Sequence, residues 1–215
     1  MVEYIHYKDP NSKEMAEHLR RLVRFPGTCI FIDIVNSTGI KYSMGIEEWG
    51  IKVNNTFNFL SFLNDFPDNI VKGIGDEIML FIPDTELVKK TTYTDYFGIL
   101  QELYATLDNI KNFPLEDVFL HCKVAIHYCA DVYNISFLKG ANDYYGRDID
   151  LTARLMIKAK PHRIVMTEVF YEKVRQDYQR SYSHAGTSWF EEISGKYIED
   201  FKGVPVPTEF RILSV

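Results

Sequence analysis

Two aspartates lie where divalent metal ions could bind. Asp33 interrupts the apolar run FIDIV, and Asp76 follows a glycine in KGIGDEIML. A carboxylate in a buried strand is costly unless it is paired, so the alternatives to a metal are an exposed strand end and a simple hairpin turn. If the two strands are neighbours, the carboxylates meet at one end, and Mg²⁺ prefers such oxygens beside substrate phosphates. Two such ions activate an attacking oxygen and neutralise a leaving phosphate.

The loop after Asp33 is a candidate phosphate cradle. Residues 34–39, IVNSTG, are small and polar and precede a helical pattern. Backbone N–H groups at the start of a helix bind phosphates, although many strand-to-helix loops have this composition. The chain contains no GxxxxGK[ST] motif, which excludes a P-loop NTPase.

Two cations complete the set of candidate residues. The segment DYYGRDIDLTARL predicts a helix with Asp150 and Arg154 four residues apart. This spacing fits a surface ion pair or an arginine that stabilises a transferring phosphate. Lys202 precedes a glycine in DFKGV, where a lone lysine is most often solvated.

Composition limits the class of protein and its partners. The 215 residues include 24 Lys plus Arg and 30 Asp plus Glu, which gives a net charge of −6, and 46% of the residues are hydrophobic. These values are typical of a folded globular protein, and the acidic balance argues against nucleic acid as a partner. The absence of an 18-residue apolar run or a signal pattern predicts a cytoplasmic chain without a membrane span. The three cysteines, without CxxC, indicate reduced thiols.

The secondary-structure pattern predicts how these residues are positioned. The pattern predicts an N-terminal lead in residues 1–27, which contains a helix at 12–24, followed by one domain in residues 28–215. The domain's predicted elements are a strand at 28–35, a helix at 47–64, two strands within 69–82, a helix at 95–111, a strand at 118–129, a helix at 148–160, and strands at 163–167 and 207–214. The order predicts an α+β, ferredoxin-like βαββαβ fold with C-terminal additions.

Five motifs in order, FIDIVNST, KGIGDEIMLF, VAIHYC, DYYGRDIDLTARL and DFKGV, resemble the catalytic domain of the class III nucleotidyl cyclases. The resemblance spans about residues 29–210. It implies two divalent ions, Mg or Mn, held by Asp33, Asp76 and the carbonyl of Ile34. It also implies that the backbone of residues 34–38, including Ser37 and Thr38, cradles the triphosphate of a nucleoside triphosphate substrate.

The resemblance assigns the remaining roles as well. Arg154 matches the arginine that stabilises the transition state, and Lys202 matches the lysine that holds the terminal phosphates. Lys72 and Asp143 match the two residues that read the base. Asp150 departs from the family, which usually has an asparagine there that touches the ribose. The family's head-to-tail arrangement implies a homodimer in which one protomer supplies the metal ligands and the other supplies the remaining residues.

The expected reaction is intramolecular attack of the ribose 3′-oxygen on the α-phosphorus, with release of pyrophosphate. Lys72 and Asp143 offer one donor and one acceptor, which suits adenine or cytosine, and uracil if the side chains cross over. The single bare domain resembles the stand-alone pyrimidine cyclases of bacterial Pycsar anti-phage systems. We therefore expect UTP ahead of CTP, and a separate effector that reads the cyclic product.

Aromatic residues near the motifs bear on the size of the base pocket. Tyr42, Trp49, Tyr144 and Tyr145 either fill space beside a small base or pack in the core. The alternative functions are an adenylate cyclase and a degenerate nucleotide-binding dimer module. A diguanylate cyclase is disfavoured because IGDEI lacks the second glycine of GGDEF and because the Arg154 segment is present.

Overall fold

The computed structural model describes residues 3–6, 12–60, 66–87, 95–113, 118–138, 143–182 and 188–215. Its strands are β1 Glu3–Tyr4, β2 Gly27–Ile34, β3 Ile70–Ile74, β4 Glu77–Pro83, β5 Cys122–Cys129, β6 Ile135–Ser136, β7 Arg163–Thr167, β8 Tyr197–Glu199 and β9 Thr208–Ser214. Its helices are α1 Lys13–Arg20, α2 Ser37–Phe59, α3 Asp84–Leu87, α4 Tyr96–Lys111, α5 Arg147–Leu155, α6 Glu168–Asp177 and α7 Ser188–Glu191. None of the helices in these ranges combines the length and apolarity needed to cross a membrane.

Within the described ranges, seven strands form one sheet in the order β3-β4-β2-β5-β7-β9-β8. Only β5 and β7 pair in parallel, and the other neighbours are antiparallel. The segment β2-α2-β3-β4-α4-β5 is the ferredoxin-like unit, and β7, β9 and β8 extend its β5 edge. The predicted α+β fold with C-terminal additions is confirmed.

Both faces of the sheet are buried, which explains the nearly continuous apolar run of β2. Side chains alternate between the two faces. Ile30 and Ile32 pack with α4 and α6 on one face, whereas Cys29 and Phe31 pack with α5 and β9 on the other. The chemistry-bearing Asp33 follows Phe31 by two residues and therefore lies on the α5 face.

Several element boundaries differ from the prediction. Helix α2 begins at Ser37 rather than at residue 47, and it contains a non-helical residue, Gly45, with φ 76°. The kink at Gly45 interrupts the apolar periodicity, so only the later half of the helix is visible in the pattern. The predicted helix end, residues 61–64, lies outside the described residues. Strand β5 begins at Cys122, and α5 ends at Leu155 before one 3₁₀ turn, Met156–Lys158.

The N-terminal lead is partly a strand. β1 pairs in parallel with β6, and Ile5 is buried. Helix α1 spans fewer residues than expected and is capped by Ser12, whose hydroxyl accepts from the Met15 N–H. The described part of the lead therefore packs on the following domain through β1.

Candidate active site

Three charged residues lie side by side across the sheet at the end of β2. Asp33 is opposite Glu77 on β4 and opposite Lys123 on β5. Lys123 Nζ lies 3.0 Å from Asp33 Oδ2, and the Asp33 side chain is 22% exposed. The half-buried carboxylate is therefore paired with a cation from the neighbouring strand, which lowers the cost of its burial.

Asp76 lies in the tight turn between β3 and β4. Gly75 in this turn has φ 68°, a left-handed conformation that favours glycine. Asp76 Oδ1 lies 3.8 Å from Nζ of Lys41 on α2, and the same ammonium lies 4.3 Å from the centre of the Trp49 ring. A second carboxylate is thus held near the start of α2.

Glu77 lies between the two aspartates, because it is opposite Asp33 in the sheet and follows Asp76 in the chain. Burial raises the pKa of Glu77, and the negative charges of Asp33 and Asp76 raise it further, while Lys123 opposes the shift. The structure therefore places both aspartates beside one carboxyl group at this end of the sheet. We call Asp33, Asp76 and Glu77 the acidic end.

Helix α2 begins beside the acidic end with its first N–H groups uncapped by any side chain. Asn36 at the cap is left-handed, with φ 56°. Ser37 is 4% exposed, and its hydroxyl oxygen has no hydrogen-bond partner among the described residues, whereas Thr38 is exposed. A helix N-terminus carries partial positive charge, so this loop suits an anion.

Lys72 and Asp143, the predicted base readers, are in direct contact. Lys72 Nζ donates to both carboxylate oxygens of Asp143, at 2.8 and 2.9 Å. The Tyr144 N–H also donates to Asp143 Oδ1 at 2.9 Å, and the Tyr144 ring lies 4.4 Å from that of Phe81. Residues 139–142, which precede this segment, lie outside the described residues.

Of the four predicted aromatic residues, two adjoin Asp143 and two belong to α2. Tyr145 follows Tyr144 and packs edge-on against Phe137 at 5.0 Å. Tyr42 is 90% exposed, and Trp49 is covered by Lys41. The aromatic side chains near the predicted base readers are therefore Tyr144 and Tyr145.

A pocket of about 260 Å³ lies between α5 and the turn before β9. We call it the α5 pocket; it is lined by Arg147, Asp148, Asp150, Leu151, Arg154 and residues 203–206. Gly203 has φ 82°, and a side-chain carbon built there would lie 3.5 Å from Arg154 Nη2. The turn is closed by a hydrogen bond from the Val204 N–H to the Phe201 carbonyl at 3.0 Å, and it carries the exposed Lys202.

Arg154 in the α5 pocket is not paired as it would be on an exposed helix surface. Asp150 and Arg154 form no ion pair, although their spacing allows one, and no carboxylate of the described residues pairs with Arg154 or Lys202. The guanidinium is half-buried against Gly203 instead. Arg154 is therefore held in place by packing, with its charge available to an anion.

Sequence reasoning missed three residues of the site. Lys123, Glu77 and Lys41 surround the two aspartates, but none was singled out. Lys123 left a signal, because it is a charged residue inside the apolar strand VFLHCKVAIHYC, just as Asp33 is in its own strand. Two opposite charges in neighbouring buried strands indicate a cross-strand pair.

Comparison with known proteins shows the fold. No protein-family model matches the sequence, and no curated protein matches it. The structure is similar to the catalytic core of a rhodopsin-guanylyl cyclase with converted specificity, in complex with ATPαS, at TM-score 0.65 and 13% identity over 89% of this chain and 97% of that one.

Two adenylyl cyclase structures are also similar. CyaB from P. aeruginosa has TM-score 0.64 and 17% identity, with 91% of this chain and 96% of that chain covered. An adenylate cyclase from Trypanosoma brucei has TM-score 0.62 and 17% identity, with 87% of each chain covered. The fold is therefore that of the class III adenylyl and guanylyl cyclase catalytic domains.

Proposed function

We propose that this chain is a nucleotidyl cyclase, which converts a nucleoside triphosphate to its 3′,5′-cyclic monophosphate and pyrophosphate. The observation that carries the proposal is the placement of the acidic end beside the uncapped start of α2. Carboxylates for metal ions and N–H groups for phosphates then lie together, as phosphoryl transfer requires. The cyclase fold supports the same reaction.

The acidic end fits two divalent ions, Mg²⁺ or Mn²⁺. Asp33 and Asp76 supply hard oxygen ligands of the type these ions prefer, and the carbonyl of Ile34 is the further ligand in this proposal. Burial and, after it, the negative charges of Asp33 and Asp76 raise the pKa of Glu77, and bound cations would offset that negative charge. When bound, the ions favour ionisation of the 3′-hydroxyl and neutralise the departing pyrophosphate.

The protein's own residues hold and orient the triphosphate. The N–H groups of residues 36–38 and the Ser37 hydroxyl bind phosphate oxygens. This cradle is shorter than the predicted residues 34–38, because the Val35 N–H donates to the His121 carbonyl. Arg154 stabilises the charge that develops as the α-phosphorus is attacked, Lys202 holds the terminal phosphates, and Asp150 accepts a hydrogen bond from the ribose. Positioning and fixed charge then supply most of the rate enhancement.

We propose a head-to-tail homodimer with two such sites. Among the described residues, no ion pair joins the acidic end of a chain to its own α5 pocket. In the dimer, the acidic end of one protomer faces the α5 pocket and the Lys72–Asp143 pair of its partner. Two identical interfaces related by a two-fold axis then create two complete sites.

We further propose that the base is a pyrimidine, with UTP ahead of CTP, and that the product serves anti-phage signalling through a separate effector. This finer assignment is supported by the aromatic side chains beside the Lys72–Asp143 pair. Tyr144, fixed against Phe81 beside Asp143, supplies bulk where a smaller base leaves space. Lys72 retains one N–H donor beyond the two that Asp143 accepts, so the pair can bind a base edge without separating.

An adenylate cyclase is the second candidate. The contact between Lys72 and Asp143 favours it, because a donor beside an acceptor matches N1 and N6 of adenine. Two of the similar structures are named as adenylyl cyclases. The two candidates share the reaction and differ only in the base.

The experiment uses the purified full chain with Mn²⁺ and each of the four nucleoside triphosphates. Pyrophosphate release is measured, and the products are separated by chromatography. The expected result is cyclic UMP as the main product and no turnover by Asp33→Ala. Cyclic AMP as the main product would favour the second candidate, and no pyrophosphate from any triphosphate would leave only a nucleotide-binding module.

A further inference from the structure

A second group of side chains that could hold a metal ion is formed by β5 and α5. Its first member on β5 lies four residues beyond Lys123. His127 and Cys129 are both buried on the α5 face of the strand, and Asp148 lies in the first turn of α5. One ligand atom from each of these three residues lies within 4.8 Å of the other two, the only such group in the described part of the chain. Imidazole, thiolate and carboxylate together are a donor set that Zn²⁺ takes.

The separation of His127 and Asp148 suits a bridging ion. His127 Nε2 lies 3.8 Å from Asp148 Oδ1, beyond the usual hydrogen-bond range of about 2.7–3.2 Å. Two zinc bonds of about 2.0–2.2 Å span this gap at an angle somewhat wider than tetrahedral. A small contraction of the site would bring the angle to the tetrahedral value.

Other contacts fix both side chains in this arrangement. His127 Nδ1 lies 2.6 Å from Thr167 Oγ1. Asp148 Oδ2 accepts from the N–H groups of Ala130 and Asp131, at 2.7 and 3.1 Å. Nε2 and Oδ1 have no further partner in the described ranges. Contacts of this kind orient the ligands of metal sites.

The charges of the group balance those of a divalent ion. Asp148 accepts hydrogen bonds from two backbone N–H groups through Oδ2, an environment that suits a carboxylate. With the Cys129 thiolate and a neutral imidazole, the ligands carry two negative charges. A Zn²⁺ ion would make the buried site neutral.

The cysteine must lose its proton to bind an ion. The Cys129 side chain is fully buried. Ion binding replaces that proton at Sγ and releases it to solvent.

We propose that His127, Cys129 and Asp148 bind a zinc-type divalent ion that fixes the start of α5 to β5. Cys29 lies opposite His127 in the sheet but is not one of the three grouped ligands. The site is separate from the acidic end, and its ligand Asp148 also lines the α5 pocket. Its ion would position the helix that carries Asp150 and Arg154.

The test is cobalt binding to the untagged full chain, because a thiolate ligand gives cobalt a charge-transfer band that carboxylates do not give. We expect one cobalt ion per chain with this band, displaced by zinc.

Cys129→Ser should abolish the band, and Asp148→Asn should weaken binding roughly tenfold or more. Cys122→Ser is the matched control, because Cys122 is equally buried on β5 but lies on the other face, and it should keep the band. Asp33→Ala should also keep it.

If the variants fail to fold, a measurement on the wild-type protein still tests the proposal. Removal of bound metal with a chelator should lower the thermal midpoint, and zinc should restore it. The proposal is overturned if the wild type gives no thiolate-to-cobalt band, if Cys129→Ser keeps the band, or if chelation and zinc leave the midpoint unchanged.

Discussion

The acidic end and the α5 pocket differ in how their charges are paired. At the acidic end, Asp33 and Asp76 lie beside Lys123 and Lys41, and burial, together with the charges of the two aspartates, raises the pKa of Glu77. At the α5 pocket and its turn, Arg154 and Lys202 have no carboxylate partner among the described residues. Structural ion pairs normally satisfy one another, so a crowded group of carboxylates and two unpaired cations each indicate ligand binding.

The difference between the acidic end and the α5 pocket also indicates which part of the proposed reaction each region serves. Carboxylates bind metal ions, and metal ions bind phosphates, whereas arginine and lysine bind phosphates directly. A nucleoside triphosphate with its metal ions is therefore complementary to both regions at once. The proposed head-to-tail dimer would let it touch both.

Removal of the metal ligands should have the largest effect. Asp33→Ala or Asp76→Ala is expected to lower cyclase activity by about a thousandfold or more, because the ions that stabilise attacking and leaving oxygens are lost. Pyrophosphate release measures the effect, and circular dichroism checks the fold. Asp68→Ala, at an exposed turn position before β3, is the control. Retained activity in either metal-ligand variant would refute the assignment.

Loss of the arginine should have the next largest effect. Arg154→Ala is expected to reduce kcat by about a hundredfold to a thousandfold with little change in KM, because its charge acts mainly in the transition state. Arg147→Ala is the matched control, since Arg147 lines the same pocket but pairs with Asp131 at 3.4 Å. Equal losses in the two variants would show that Arg154 has no special role.

The base readers should affect selectivity more than rate. Lys72→Ala or Asp143→Asn is expected to lower kcat/KM for the preferred triphosphate by about tenfold to a hundredfold, because each change leaves polar groups of the base unpaired. Activity on the other triphosphates should fall less. A uniform loss across all four triphosphates would contradict base reading.

The burial of Glu77 and its repulsion by Asp33 and Asp76 should appear as pH-dependent stability in the chelated protein. The pKa of Glu77 in the folded chain is raised above its ordinary 4.5. The stability that this group contributes is therefore complete below that pH and is lost as the pH rises through the folded pKa. Glu77→Gln should raise the free energy of unfolding near pH 7, and the gain should vanish toward about pH 4. A gain that is independent of pH would point to packing instead.

A backbone change in the α5 pocket should have the smallest effect. Gly203→Ala is expected to destabilise the fold by about 1 kcal/mol, because alanine is strained at φ 82°, and to shift Arg154 slightly. Gly195→Ala, where φ is not positive and a side chain meets nothing within 4 Å, is the control. Chemical unfolding of both variants measures the difference.

Apolar patterning predicted most of the fold, because β2, β4 and β5 are buried on both faces and α4 is strongly periodic. Apolar patterning did not predict α6. This helix begins directly after β7, with Thr167 as its N-cap, so no turn signal separates the two elements. Apolar patterning also missed the first half of α2, which the kink at Gly45 hides.

The candidate site was predictable where a residue stands out against its segment. Asp33 and Asp76 did, and the structure places both at one end of the sheet. Glu77 and Lys123 depend on strand register, which the sequence does not state. The group of His127, Cys129 and Asp148 depends on how α5 packs on β5, and spacing gives no signal for it.

The most direct test of the composite site is a mixture of two inactive variants. Asp33→Ala lacks the metal ligand, and Arg154→Ala lacks the transition-state arginine. In a mixed head-to-tail dimer, one of the two sites contains neither substitution. Refolding or exchange of equal amounts should therefore restore about a quarter of wild-type activity if dimers form at random. No recovery, in samples shown to contain mixed dimers, would contradict the account.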